Sequence, residues 1–254
     1  MKISIITICY NNEKDIRTTL ESVAHQTFPD IEYIVVDGAS KDGTLSIVNE
    51  YRDKIAVLIS EPDKGMYEAL NKGLKAATGD VVGMIHAGDQ LYDDHVIEDI
   101  AKFYSDNDVD LSYGYSWIVD KDGKVKRVNK SPRYSKDLVR WGWMPSHQSI
   151  YVKKEMLDKY GYYTQNVGGS GDYEWFVKYF YKYASELKIK RMDRFIIRFS
   201  LGGQSTANMK SRLQKKNKDI LRQCWINNGL RPPFMLPYKK FLWTVRQFIM
   251  AWFY

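Results

Sequence analysis

The sequence predicts an α/β protein: a mostly parallel central sheet flanked by helices, with a helical tail at the C-terminus. Three observations lead there. Short apolar, β-rich runs alternate with longer amphipathic stretches over the first ninety residues. Polar residues gather directly after each run, at the carboxyl ends of the strands, where open parallel sheets bind ligands. Basic charge is concentrated at the far end. Residues 208–254 hold ten Lys and Arg against one acid, Asp219, a net +9, so the total of +7 leaves −2 for residues 1–207.

The elements follow in order. Lys2–Ile8, Glu32–Asp37, Ile55–Ile59 and Val81–Ile85 read as strands. Between them Glu13–Gln26, Gly43–Tyr51 and Met66–Ala77 read as helices. Their apolar residues (Ile16, Leu20, Val23; Leu45, Val48; Leu70, Leu74, Ala77) recur at three- and four-residue spacing. Such alternation covers both faces of a parallel sheet with helices. After Asp110 the pattern changes. Leu111–Val119 and Lys124–Val128 flank Asp120-Lys121-Asp122-Gly123, a hairpin signal with Asp-Gly at its turn. A helix is expected over Asp172–Ala184, with Tyr173, Phe176, Val177 and Phe180 on one face, and a strand over Phe195–Ser200. No repeat or low-complexity linker interrupts the chain. Residues 1–115 and 116–207 are therefore expected to be two halves of one domain around a cleft, followed by a basic aromatic tail over 208–254.

Composition narrows the class. Hydrophobic residues at 44% and charged residues at 27% describe a globular chain. Cys9 and Cys224 are the only cysteines, which gives no disulfide framework and no zinc spacing and points to a reducing compartment. The longest uncharged stretches, Trp141–Val152 and Tyr160–Gly171, run 12 residues, too short for a spanning helix. The opening MKISIITICYNNE reads as a first core strand and not as a leader. A cytoplasmic protein without a membrane span is expected.

Gly38-Ala39-Ser40-Lys41-Asp42-Gly43-Thr44 joins a strand to a helix, as a phosphate loop does. Thr44 stands where a Walker loop needs lysine, and no G-x-G-x-x-G occurs, so ATPase and Rossmann oxidoreductase readings lose their support. Asp37 ends the buried run Ile34-Val35-Val36 and either reads a base or ribose or caps a turn. Asp89, in His86-Ala87-Gly88-Asp89, either holds a divalent cation whose other ligands are diphosphate and water oxygens or caps a loop. Gly88 lets the backbone approach a ligand closely, and His86 reads as a packed or hydrogen-bonded side chain. Asp172 follows the glycine-rich loop Gly168–Gly171 at a helix start, as a general base or as an N-cap, with Glu174 the alternative base. His147 and Gln148 precede a strand, where they either hold a hydroxylated or phosphorylated substrate or serve the structure.

Taken together, these pieces resemble glycosyltransferase family 2. The resemblance rests on Thr7-Ile8-Cys9-Tyr10-Asn11-Asn12-Glu13, on Leu20-Glu21-Ser22-Val23 through Gln26-Thr27-Phe28-Pro29-Asp30, and on Ile34–Thr44. It continues through Ser60-Glu61-Pro62-Asp63-Lys64-Gly65-Met66-Tyr67-Glu68-Ala69-Leu70-Asn71-Lys72-Gly73 and Thr78-Gly79-Asp80. His86–Asp89, Ser146–Gln148, Gly171–Tyr173 and Leu201–Thr206 are similar to the colanic-acid and O-antigen type members, so that residues 1–207 are covered. The family implies a GT-A (nucleotide-diphospho-sugar transferase) fold. It also implies inverting transfer from a nucleotide-sugar, usually a UDP-sugar, with Mn2+ or Mg2+, to a hydroxyl of a glycan acceptor. Carried across, Thr7, Tyr10, Asp37, Asp63 and Asp89 would contact the nucleotide-sugar, Asp89 would bind the metal, and Asp172 would be the base. His147 and Gln148 would meet the acceptor. Gly88 departs from the family, whose metal motif often has consecutive acids. The processive Q-x-x-R-W signature is missing, so polymer synthesis is not expected.

The tail, Phe241–Tyr254, is apolar at 241, 245, 248, 249 and 252 on one helical face, with Lys239, Lys240 and Arg246 beside it and Lys215, Lys216 and Lys218 before it. Such a helix suits a membrane interface. That fits an acceptor carried on a polyprenyl diphosphate at the inner face of the cell membrane. The other reading packs the helix on the body or on a second copy in a homodimer. A nucleotide-binding or regulatory protein of the same fold is the rival class. Nucleic acid is not an expected partner, because the basic tail carries no reading motif.

Overall fold

The computed structural model describes residues 1–120, 122–165, 170–200 and 215–253. Lys121, Gly168 and Gly169 of the glycine-rich loop, the Leu201–Thr206 motif, Tyr254 and the side chains of Lys215, Lys216 and Lys218 lie outside the described residues.

Four strands, β1 (Ile3–Cys9), β2 (Ile31–Asp37), β3 (Val57–Ser60) and β4 (Val81–Met84), form a parallel block in the order β3-β2-β1-β4. Their residues alternate between two cores, as strand geometry requires. Ile3 and Ile5 face one core with Ile16 and Leu20 of α1 (Ile16–Ala24), Val48 of α2 (Thr44–Glu50) and Ile97 and Ile100 of α4 (Val96–Asp106). Ile6 faces the other with Leu70 and Leu74 of α3 (Met66–Ala76). Helices therefore cover both faces, as the alternation predicted.

Later strands extend the same sheet. β8 (Ile150–Lys153) runs antiparallel to β4 and to β6 (Leu111–Val119). β9 (Ile189–Ser200) lies parallel to β6, while β5 (Gln90–Leu91) and β7 (Val125–Asn129) pair antiparallel with β9 and β6. Because β6 spans the expected boundary at residue 115, the two halves share one sheet. Two short helices, α5 (Lys136–Arg140) and α6 (Lys154–Tyr160), fill the connections.

The expected Asp172–Ala184 helix is α-helical only over α7 (Gly171–Val177) and widens to π geometry over Lys178–Lys182. Ring pairs four residues apart, Trp175 with Tyr179 at 4.0 Å and Phe176 with Phe180 at 4.6 Å, run across that change. The last expected strand is twice as long as its apolar run, since β9 begins at Ile189.

Two tail helices, α8 (Lys215–Asn227) and α9 (Leu236–Met250), pack on the body. Trp225 is buried and its indole N–H donates to the Tyr173 hydroxyl at 3.1 Å. Trp243 donates to the Trp141 carbonyl at 3.1 Å, and Lys240 lies 4.1 Å from the Tyr173 ring centroid. The opposite side of α9 exposes Tyr238, Leu242, Val245 and Ile249, and Trp252 continues this row. No helix among the described residues is long and apolar enough to cross a membrane. Both cysteines are free and buried.

Candidate functional site

The register aligns Cys9 with Asp37 and Asp37 with Ser60, so the loops after β1, β2 and β3 meet at one edge. They interlock there. Asn11 N–H donates to Ser40 Oγ at 2.9 Å, and Lys41 N–H donates to Asn11 Oδ1 at 2.8 Å. Asn11 (φ 51°) and Ala39 (φ 61°) both adopt the left-handed region, which costs an alanine about 1–2 kcal/mol. Strain of this kind collects at ligand clamps. A Cβ on Gly38 would lie 2.5 Å from Asp63 Oδ2 and 3.3 Å from the Tyr10 ring, so glycine lets these two groups close over the strand end without the Asp63 carboxylate shifting. Tyr10 is exposed, and Asp63 reaches solvent while accepting from Gly65 N–H at 2.7 Å.

Thr7 and Asp37, expected at the nucleotide, lie deeper than Tyr10 and Asp63. Both are fully buried. The Thr7 hydroxyl pairs with the Tyr33 hydroxyl at 3.0 Å, because its position in β1 faces the core shared by Ile5 and Tyr33. Asp37 accepts from Ser60 Oγ at 2.8 Å, from Ser40 N–H at 3.2 Å and from the Ser40 hydroxyl. Asp37 thus ties the loops after β2 and β3 together beside Gly38.

The second group lies at the end of β4. Gly88 (φ 93°) turns the chain so that Asp89 N–H reaches the His86 carbonyl at 3.0 Å. Asp89 is 9% exposed; its Oδ2 accepts from Gln148 Nε2 at 2.6 Å and its Oδ1 from Ser200 N–H at 2.9 Å. Gln148 Oε1 accepts from His86 N–H at 2.9 Å. Gln148, expected at the acceptor, is thus buried with both ends of its amide engaged, and it orients Asp89. Burial pushes the Asp89 carboxyl up to about 6, with the two hydrogen bonds opposing the rise.

No three His, Cys, Asp or Glu among the described residues gather to hold a metal. Asp89 still fits a divalent cation, because its negative charge is poorly solvated and each oxygen retains a lone pair beyond its one hydrogen bond. It fits as a single carboxylate, with diphosphate oxygens needed for the rest of the coordination shell.

Next to Asp89 stand two imidazoles. His86 Nε2 and His147 Nε2 are 3.1 Å apart, and the His147 ring also packs on Phe199. Burial holds both histidines below their ordinary value: His86 falls to about 3, with His147 adding to the effect, while the Asp172 carboxylate opposes the fall at His147.

Asp172 sits at the second position of α7, half-buried. It is not the N-cap, since Ser170 occupies that place, and no side chain caps the helix. Instead the Tyr67 hydroxyl accepts from Gly171 N–H at 2.7 Å and from Asp172 N–H at 3.3 Å. A Cβ at residue 171 would lie 2.8 Å from the Tyr67 ring, so glycine is needed for this approach. Tyr67 stacks on Tyr163, which stacks on Trp175. Glu174, the alternative base, is buried at 3% exposure and accepts from Thr164 Oγ1 at 3.0 Å, turned away from the cleft. Tyr67 was not singled out in the sequence, although it lies within the Asp63–Gly73 motif.

Comparison with known proteins agrees with this architecture. The family model described as glycosyl transferase family 2 matches residues 4–171. An uncharacterized glycosyltransferase of Methanocaldococcus jannaschii is 23% identical over 84% of this chain and 75% of its own length. Another from Rickettsia prowazekii is 30% identical over 70% of this chain and 58% of its own. A PGL/p-HBAD biosynthesis glycosyltransferase of Mycobacterium bovis is 26% identical over 70% and 69%. Among solved structures, S. aureus TarS 1–349 in complex with UDP-GlcNAc superposes with a TM-score of 0.70 at 21% identity, covering 94% of this chain and 69% of that one. The mannosyltransferase PcManGT of Pyrobaculum calidifontis, in complex with GDP-Man and Mn2+, gives 0.64 at 18% identity, covering 98% and 73%.

Proposed function

Since the chain belongs to glycosyltransferase family 2, we propose that it transfers a sugar, with inversion, from a nucleoside-diphosphate sugar to a hydroxyl of a glycan acceptor. One observation carries this reading: a continuous set of contacts joins Asp89 to Gln148, and the adjacent His147 pairs with His86 and feels the Asp172 charge. In this reading the buried Asp89 carboxylate suits a cation–diphosphate pair, and the half-buried Asp172 carboxylate, whose charge reaches His147, suits a base.

In this reading Tyr10 and Asp63 contact the nucleotide. Thr7 is bonded to Tyr33 in the core, and Asp37 touches a ligand directly only once Ser40 or Ser60 releases its carboxylate. Mn2+ or Mg2+, held by Asp89 and the donor's diphosphate, would neutralise charge on the leaving group. Asp172 takes the proton of the acceptor hydroxyl as that oxygen attacks the anomeric carbon opposite the diphosphate, a role worth about 10²–10⁴-fold. Alignment of the two substrates supplies most of the rest. A single displacement needs one base, and Glu174 faces away.

The TarS complex supports a UDP-sugar donor, and the PcManGT complex keeps GDP open. The name of the M. bovis relative supports a role in surface glycan synthesis. The exposed row on α9, with Arg246 beside it, supports docking on an anionic membrane at its cytoplasmic face, where a polyprenyl-diphosphate-linked acceptor would be met.

Calorimetric titration with UDP, GDP, CMP and dTDP, each with and without Mn2+, tests the proposal. The expected result is metal-dependent binding of one diphosphate, lost in Asp89→Ala and kept in Asp172→Asn. Binding of none would overturn the transferase reading and favour a non-catalytic member of the family.

A further inference from the structure

The histidine pair carries information that the distances alone make available. His86 Nε2 and His147 Nε2 lie 3.1 Å apart, close enough for a hydrogen bond, and a hydrogen bond needs one N–H and one bare lone pair. Which ring donates is decided by the far side of His86. Its Nδ1 is buried and has no partner among the described residues. If His147 donated, His86 would carry its remaining proton on that Nδ1, as a buried N–H with no acceptor. An orphaned donor of this kind is rarer and costlier than an acceptor left short of a partner. The arrangement in which His86 donates from Nε2 is therefore favoured, by about tenfold for each 1.4 kcal/mol of that penalty.

The consequence falls on His147. With its Nε2 accepting, a neutral His147 carries its proton on Nδ1, which no group among the described residues bonds and which, unlike His86 Nδ1, is not a buried atom shut away from solvent. We propose that His86 is a positioning residue that fixes His147 as the Nδ1–H tautomer, so that His147 offers a permanent hydrogen-bond donor to a sugar hydroxyl oxygen. The identity of that ligand rests on the transferase reading; the tautomer does not. The oxygen contacted is not the attacking one, because an N–H donated to the attacking oxygen would draw on the lone pair that forms the new bond. The rings of His86 and Phe199 on either side of His147 hold the direction of this donor. The site then recognises a sugar that has an accepting oxygen at that position and discriminates against its deoxy analogue, which leaves the N–H unpaired.

The test is nuclear magnetic resonance of the full chain with isotopically labelled histidine nitrogens, at neutral pH and without ligand. It reads directly which ring nitrogen carries the proton. The expected result is His86 as the Nε2–H form and His147 as the Nδ1–H form. In His86→Phe, His147 should lose its single tautomer, and in His86→Gln, whose amide can still donate, it should regain it. His147 found as the Nε2–H form in the unaltered protein overturns the proposal, and so does an unchanged tautomer in a folded His86→Phe. If His86→Phe fails to fold, the first measurement and His86→Gln still decide. None of these outcomes depends on turnover, so they stand apart from the success or failure of the donor titrations.

Discussion

Asp89 makes a quantitative prediction, because its charge is buried without a facing cation among the described residues. Its carboxyl titrates at about 6 instead of 3.8, mainly through burial. That difference corresponds to about 3 kcal/mol between the two protonation states. An acid whose folded value is raised contributes stability that is fully present below the unfolded value and lost as pH rises through the folded value. Between about pH 4.5 and 7.5, roughly 2 of those 3 kcal/mol should be lost. Asp89→Asn removes the titration and adds a separate penalty, because Gln148 Nε2 and Ser200 N–H both donate to this side chain and an amide has only one accepting oxygen. That penalty is about 1–3 kcal/mol and does not depend on pH. The informative quantity is therefore the change with pH in the stability difference between the two proteins. Urea unfolding of both, followed by tryptophan fluorescence at about pH 4.5 and 7.5, should show the difference shifting by about 2 kcal/mol in favour of Asp89→Asn at the higher pH. Parallel behaviour of the two proteins would refute the account of a poorly solvated carboxylate, and with it the reason given for cation binding there.

Four further outcomes are expected. Tyr67→Phe removes the acceptor for two amide donors at the start of α7; stability should fall by about 1–3 kcal/mol and kcat by about tenfold or more, with donor affinity retained. Unchanged kcat would separate Tyr67 from the placement of Asp172. Asp172→Asn should lower kcat by about 10²–10⁴-fold while leaving calorimetric nucleotide affinity as it was, and a loss confined to KM would remove Asp172 from the base role. Trp225→Ala should cost about 3–5 kcal/mol in urea unfolding, since the ring is buried and bonded to Tyr173; a cost below about 1 would mean that α8 is not part of the cooperative unit. Leu242→Glu combined with Ile249→Glu should leave stability within about 0.5 kcal/mol, because both side chains are exposed, and should abolish co-sedimentation with anionic vesicles if α9 docks on membranes.

The first half of the fold was legible because β1, β2 and β4 are buried almost throughout and read as apolar-rich runs between amphipathic stretches. Only strand ends shifted, β3 from Ile55–Ile59 to Val57–Ser60, for instance. Two other strands are hidden for opposite reasons. β5 has two residues, too few for any period. β9 opens with Ile189-Lys190-Arg191-Met192-Asp193-Arg194, where charge dominates the pattern although Met192 is buried. In the tail, Lys240 and Trp243 meet the body while Leu242, Val245 and Ile249 face out. The aromatic face seen in the sequence could not show by itself which side the body takes.

At the site, local position in the sequence singles out Asp89, Asp172, His147 and Gln148, but it does not show which of them meet. Asp89 and Asp172 are visible from local position, a carboxylate after an apolar run and a carboxylate at a helix start. Gln148 reaches Asp89 across 59 positions, and Tyr67 reaches α7 across 104. Both contacts depend on sheet order. β8 lies antiparallel beside β4, so the loop entering β8 stands next to the loop leaving β4. His147 and Gln148 are therefore delivered to His86 and Asp89 by backbone pairing that neither sequence segment encodes alone. The same pairing explains why the buried amide of Gln148 belongs with the cation-side carboxylate. Its carbonyl is fixed by the His86 N–H, so only its amino group can face Asp89, and Asp89 must accept. His86, Asp89, His147 and Gln148 thus meet where two neighbouring strands of a single sheet end and begin. The relative placement of the proposed cation ligand and the proposed base depends on strand pairing and on the Tyr67 contact, with no hinge between separate domains required.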